Sequence, residues 1–144
     1  MKLITIIIMT ALLILPAGSV FAQTGTIDLK ITGIEDQEGG KLKIGLFDSE
    51  SYLEFGKEIV GINLDIKGVV ATHVLSEIPV GTYVLAVYQD QDSNDKLDKN
   101  FFGAPSEPYG FSQNQYGMFG PPDFEDVSFE VKENETTELA INLE

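Results

Sequence analysis

The chain reads as an all-β protein, a two-sheet sandwich of about seven short antiparallel strands with one long functional loop. Three observations predict this. Most apolar residues recur at every second position, the period of a strand with one buried face. Clusters of Gly, Pro, Asn and Asp separate these runs. One stretch, Gln89 to Glu125, follows neither the strand nor the helix period. An open barrel is the alternative closure of the same strands.

Residues 1–22 precede the fold and read as a cleaved secretory leader, leaving one domain over 23–144. Lys2 gives a positive start and Leu3 to Leu15 an apolar run broken by Pro16. Val20-Phe21-Ala22 then places short or small residues where a signal peptidase reads, so cleavage is expected after Ala22. The run is shorter than the roughly 20 residues of a membrane span, and no stable membrane anchor is expected after cleavage. The expected location is periplasmic or extracellular.

Thr26 to Ile34 alternates, with Ile27, Leu29 and Ile31 on one face. Glu35 to Gly40 is a turn cluster, and Lys41 to Phe47 alternates again, so the two runs read as a hairpin. Asp48 to Lys57 loses the period and reads as a short helix or loop capped by Asp48 or Ser49. Ile62, Leu64 and Ile66 mark a third strand, and Val69 to Leu75 a fourth. Ile78-Pro79-Val80-Gly81 is a turn, because Pro and Gly oppose continued pairing. Thr82 to Tyr88 is apolar on both phases and suits a central strand covered on both faces. After the long loop, Val127, Phe129 and Val131 alternate, and Leu139, Ile141 and Leu143 close the chain. The expected core is Leu29, Ile44, Leu64, Leu85, Val87, Phe129 and Ile141.

Composition narrows the chemistry. The formal net charge is −14, there is no Arg, and all 23 acidic residues follow the leader. Nucleic acid and anionic membrane surfaces would repel such a chain. There is no Cys, which excludes disulfides, thiolate metal sites, a Cys nucleophile and a lipid-modified Cys. His73 is the one His, so a nucleophilic triad has no base to build on; it reads as a structural residue in a strand.

Interest falls on the loop. A stretch this long is far above ordinary loop length in a compact domain, so it is functional, hides a strand or is disordered, and its aromatic content argues against disorder. It opens with spaced oxygen side chains at Asp90, Asp92, Asn94 and Asp98. These fall at positions one, three, five and nine of a calcium loop, and Lys96 offers its carbonyl at seven. Two departures exclude an EF-hand. Asp95 stands where that loop needs Gly, and Phe101 where it needs a bidentate Glu. A calcium-type turn in a β protein is the expectation, with Glu107 or Asp126 to complete the shell. The same residues also fit a turn that caps its own amides.

The second half of the loop is aromatic: seven of the fourteen Phe and Tyr residues lie between Phe101 and Phe124. Tyr109, Phe111, Tyr116 and Phe119 are candidates for a platform that stacks a sugar or peptide. Phe101 and Phe102 are expected to fold back and plug one end of the sandwich, and Phe101-Phe102-Gly103 reads as a short strand.

Two stretches carry a resemblance. IPVGTYVLAVYQD resembles the hairpin of carboxypeptidase regulatory-like and transthyretin-like domains. AVYQDQDSNDKLDKNFFGAPSEPYGFSQN resembles the signature of the bacterial family known as domain of unknown function 2141. There Asp90, Asn94 and Asp98 match an Asp-rich loop, and Phe102, Gly103, Pro105, Glu107, Tyr109, Gly110, Phe111 and Ser112 match the aromatic motif. The resemblance implies an exported protein with an immunoglobulin-like or prealbumin-like sandwich and supplies no activity.

The expected function is a non-enzymatic exported binding or interaction module for an unknown protein or carbohydrate ligand. Glu107, Tyr109, Phe111 and Tyr116 are its candidate ligand-binding residues, and calcium stabilises the loop. The alternatives are an envelope hydrolase using clustered carboxylates and a purely structural accessory domain.

Overall fold

The computed structural model describes residues 22–35, 40–54 and 56–144. Most of the expected leader, 1–21, the middle of the first turn, 36–39, and Phe55 lie outside the described residues. Strand β1 (Thr24–Thr32) alternates as expected and sits at the centre of a three-stranded sheet. Its Ile27, Leu29 and Ile31 are fully buried. Strands β2 (Lys41–Phe47) and β3 (Val60–Asp65) belong to the other sheet. Strand β4 (Ala71–Pro79) pairs antiparallel with β1, and β5 (Gly81–Asp90) pairs antiparallel with β2. The chain changes sheets at Val80, whose amide donates to Gln23 O at 2.9 Å. The Tyr83 hydroxyl folds back onto Pro79 O at 2.9 Å, which explains the Tyr of the IPVGTY turn.

Strand β5 is the central strand that its two apolar phases predict. One edge pairs with β2; the other is shared end to end by β6 (Tyr109–Phe111) and β7 (Phe129–Val131). Tyr83, Leu85 and Val87 point into the core between the sheets, while Val84 packs in a separate cluster with Phe111 and Val127. Each such fully buried Leu or Ile contributes about 1.5–3 kcal/mol. Strand β8 (Thr136–Asn142) completes the three-stranded sheet beside β1. Among the described residues, no helix is long and apolar enough to cross a membrane.

Several expectations are corrected. The runs β1 and β2 are not a hairpin; they lie in different sheets, because β1 takes its partners from β4 and β8. The strands are not all antiparallel: β1 and β8 run parallel, with Leu29 opposite Leu139. Alternation shows that a strand has a buried face but says nothing of which strand lies beside it. Leu64 is half-buried rather than core, since β3 is an edge strand. Of the two readings of the segment from Asp48, a helix or a loop, the loop holds: residues 48–54 form turns capped by Asp48. Asp48 Oδ1 accepts the amides of Glu50 (3.1 Å) and Ser51 (2.8 Å) and the Ser51 hydroxyl (2.8 Å), and these bonds hold its carboxyl below the usual range.

Candidate functional site

The strand β5 ends in the Asp-rich turn. Asp90 is its last residue and is fully buried. Its two carboxylate oxygens accept the amides of Asn94 (3.1 Å) and Asp95 (3.0 Å). Glu107 is also buried and reaches in from the far side of the loop, accepting the amides of Gln91 (2.7 Å) and Asp98 (3.0 Å). Asp92 is exposed and completes a group of three: ligand oxygens of Asp90, Asp92 and Glu107 lie within 4.8 Å of one another. Asn94 and Asp98 stand one hydrogen bond further out. Asn94 Nδ2 donates to both Asp92 and Asp98 at 3.0 Å, and Lys96 gives its amide to Asn94 Oδ1 at 2.8 Å. Asp126 lies elsewhere, in the one-turn helix α1 (Phe124–Val127).

The two departures from a calcium loop now have a geometric reading. Asp95 adopts φ +62°, the left-handed conformation that Gly would supply at that position. Glu107 brings a carboxylate to the cluster from the far side of the loop, where the twelfth loop position would otherwise bring one. Lys43 on β2 pairs with Asp95 and holds that carboxyl below its usual range. Tyr88, beside the turn, has its phenol pushed up to about 12, first by burial and then by Asp90, Asp95, Glu107 and Glu58.

The turn roots a short hairpin that the sequence did not reveal. Ser106 N donates to Asp98 O (2.8 Å), Lys99 bridges Pro105, and Asn100 N donates to Ala104 O (2.8 Å). Asn100 Oδ1 then accepts the amides of Phe102 (2.9 Å) and Ala104 (3.1 Å), and Gly103 takes φ +82°. Phe101 and Phe102 sit at the tip, 97% and 90% exposed. The expectation that they plug the sandwich is therefore corrected, as is the strand at 101–103. Opposite them, Met118 and Phe119 are 87% and 98% exposed. Between these two tips runs a groove of about 560 Å³, floored by Tyr109, Phe111 and Leu53.

Of the candidate ligand residues, Tyr109 and Phe111 line this groove, whereas Glu107 caps backbone beneath it. Tyr116 packs edge-on against Tyr109 at 5.7 Å and donates to Asn142 O, away from the groove lining. Tyr116 instead helps to cover the open edge of β8. There Asn114 makes a two-way pair, Nδ2 to Ala140 O (2.9 Å) and Asn142 N to Oδ1 (2.8 Å), and Tyr109 exchanges backbone bonds with Glu144. Ser112 is fully buried and ties β5 to α1, accepting Leu85 N (3.1 Å) and donating to Val127 O. Residues 102–112 thus carry separate structural duties at close spacing. Over residues 29–139 the chain matches the model of a bacterial family described as "Uncharacterized protein conserved in bacteria (DUF2141)". The chain belongs to this family. No curated protein and no solved structure gives a significant match. Within the matched span lie strands β2 to β7, the carboxylate turn and the groove. Leu53, Met118 and Pro121 join the groove without any signal in the motif, because they reach it through folding of separate loops.

Proposed function

We propose that this chain is an exported, non-enzymatic binding module of the periplasm or cell exterior, whose long loop forms the binding surface. One observation carries the reading. A hydrogen-bonded hairpin holds Phe101 and Phe102 in solvent, across a concave groove from Met118 and Phe119. Large exposed apolar patches on soluble proteins mark interaction sites, and the groove lies within the volume range of ligand pockets. Both buried carboxylates use their oxygens on backbone amides, which suits a structural role better than acid–base chemistry. Two sheets of short strands with the Tyr83 turn support an immunoglobulin-like or prealbumin-like sandwich as the scaffold.

In the same reading calcium stiffens the base of the hairpin through Asp90, Asp92 and Glu107. Three carboxylates so close repel one another, and a divalent ion with a preference for hard oxygen relieves that repulsion. Asn94, Asp98 and the Lys96 carbonyl supply the outer part of the turn. Extracellular calcium modules bind at roughly 10⁻⁴ to 10⁻³ M. At ten times such a dissociation constant the added stability is about 1.4 kcal/mol, a rise of a few degrees in Tm.

Two measurements test this. Nile red, a neutral dye, should brighten on the wild-type protein and far less on Phe102→Ser with Phe119→Ser; equal brightening would remove the groove as the site. Melting curves with calcium, magnesium and chelator should show a calcium-specific rise that Asp92→Asn abolishes. An unmoved midpoint would leave the carboxylates as turn caps alone.

A further inference from the structure

We propose that the groove receives an apolar side chain carried on a lysine- or arginine-rich segment of a partner protein. This rests on the groove being a binding site and adds the charge of what it binds. The observation is how charge is distributed around it. From residue 100 to residue 122 the only charged side chain is Glu107, which is buried and capped on both oxygens. In a chain of net charge −14 this leaves an uncharged strip.

Acidic groups border that strip. At the Leu53 and Pro121 end, the Tyr52 hydroxyl donates to Pro122 O at 2.9 Å and its ring packs edge-on against Phe124 at 5.6 Å. This places Glu50, Glu54 and α1, with Asp123, Glu125 and Asp126, beside the groove floor. Asp123 is close enough to Tyr52 to help burial push that phenol up to about 12. Among the described residues only Glu54 of these has a lysine partner, Lys57. At the Leu97 end the exposed Asp92 and the half-buried Asp98 stand beside two exposed lysines, Lys96 and Lys99, so that the acidic excess lies at the Leu53 and Pro121 end. Among the described residues Lys99 is the one cation in the groove lining itself. The complement of an apolar cleft with an acidic excess at its Leu53 and Pro121 end is an apolar residue with cations beside it. Interface cores favour aromatic residues and Met, and charged rims set the choice of partner. A membrane surface is the other class of partner for exposed Phe and Met. It is disfavoured because anionic headgroups repel a chain of net charge −14.

The test uses three fluorescently labelled peptides in anisotropy titrations against the protein from Gln23 to Glu144. The first carries a Phe–Leu pair flanked by lysines, the second the same pair flanked by glutamates, the third lysines with serines for the pair. The first should bind about tenfold or more tighter than the others. Its advantage over the second should shrink in salt and in Asp123→Asn with Glu125→Gln and Asp126→Asn, whose exposed side chains leave the fold intact by circular dichroism. Equal binding of the first two, lost in Phe102→Ser with Phe119→Ser, keeps the groove and overturns the partner's charge. Equal binding of the first and third makes the attraction plain surface charge and overturns the proposal. Binding of neutral phosphatidylcholine vesicles without peptide binding overturns it in favour of lipid. No binding of any probe, with no Nile red response, overturns the binding reading itself.

Discussion

At Gly110 an added methyl group would stand 2.8 Å from Ile141 Cγ2 and 2.9 Å from the carbonyl oxygen of Asn142. One of those atoms is backbone, so β6 would have to lift away from β8. Gly110→Ala should cost about 1–3 kcal/mol, as overpacking does, with the shift read in urea unfolding. Asp95 poses the opposite question, since its backbone is already in a conformation that side chains disfavour. Asp95→Ala loses the Lys43 pair and keeps the disfavoured φ, whereas Asp95→Gly loses the pair and relieves it. The glycine variant should therefore be the more stable of the two by about 1 kcal/mol, and a reversed order would show that the pair, not the backbone, governs the turn.

Among elements, the hairpin at 98–106 depends on Glu107 more than on any apolar contact. Glu107→Ala leaves the amides of Gln91 and Asp98 without their acceptor, at a cost of about 1–3 kcal/mol. Because loops open as local units, hydrogen exchange should speed up at Gln91, Asp98 and Asn100 while β1 amides keep their protection. Equal loss across both would show that the loop and sandwich unfold together. This element also marks where reading from sequence ends. The strands were legible because Ile27, Leu29 and Ile31, or Leu42, Ile44 and Leu46, share one face at period two. The oxygen spacing at Asp90, Asp92, Asn94 and Asp98 was legible as a turn, with Glu107 foreseen as one of two residues to complete the cluster. Partners were not legible: nothing in β1 says that β8 lies beside it in parallel. Nor was the direction of Phe101 and Phe102. Aromatic residues usually turn inward, and what turns these outward is the Asn100 side chain holding two amides of the tip. Strand β6 is three residues long, too short to show a period, and forms only because β5 offers it an open edge.

For the molecule as a whole, alkali is the informative stress. Burial, aided by nearby carboxylates, pushes the Tyr52 and Tyr88 phenols up to about 12 from an ordinary value of 10. In the folded chain they stay protonated where the unfolded chain has already ionised. The stability they contribute is whole below pH 10 and is lost as pH rises through 12. Phenolate absorbance should show at least two tyrosines titrating late in the folded protein and all five together in urea; a single early transition would mean that these rings are open to solvent. The parallel pairing of β1 with β8 has a consequence in time. Thr32 and Asn142 are partners 110 residues apart in the chain. Closing so large a loop precedes any gain from the contact and slows folding. During synthesis β1 has no β8 to lie beside until residues 136–142 have left the ribosome. The three-stranded sheet is thus completed late, and a nascent chain cut short before residue 136 has no way to finish it.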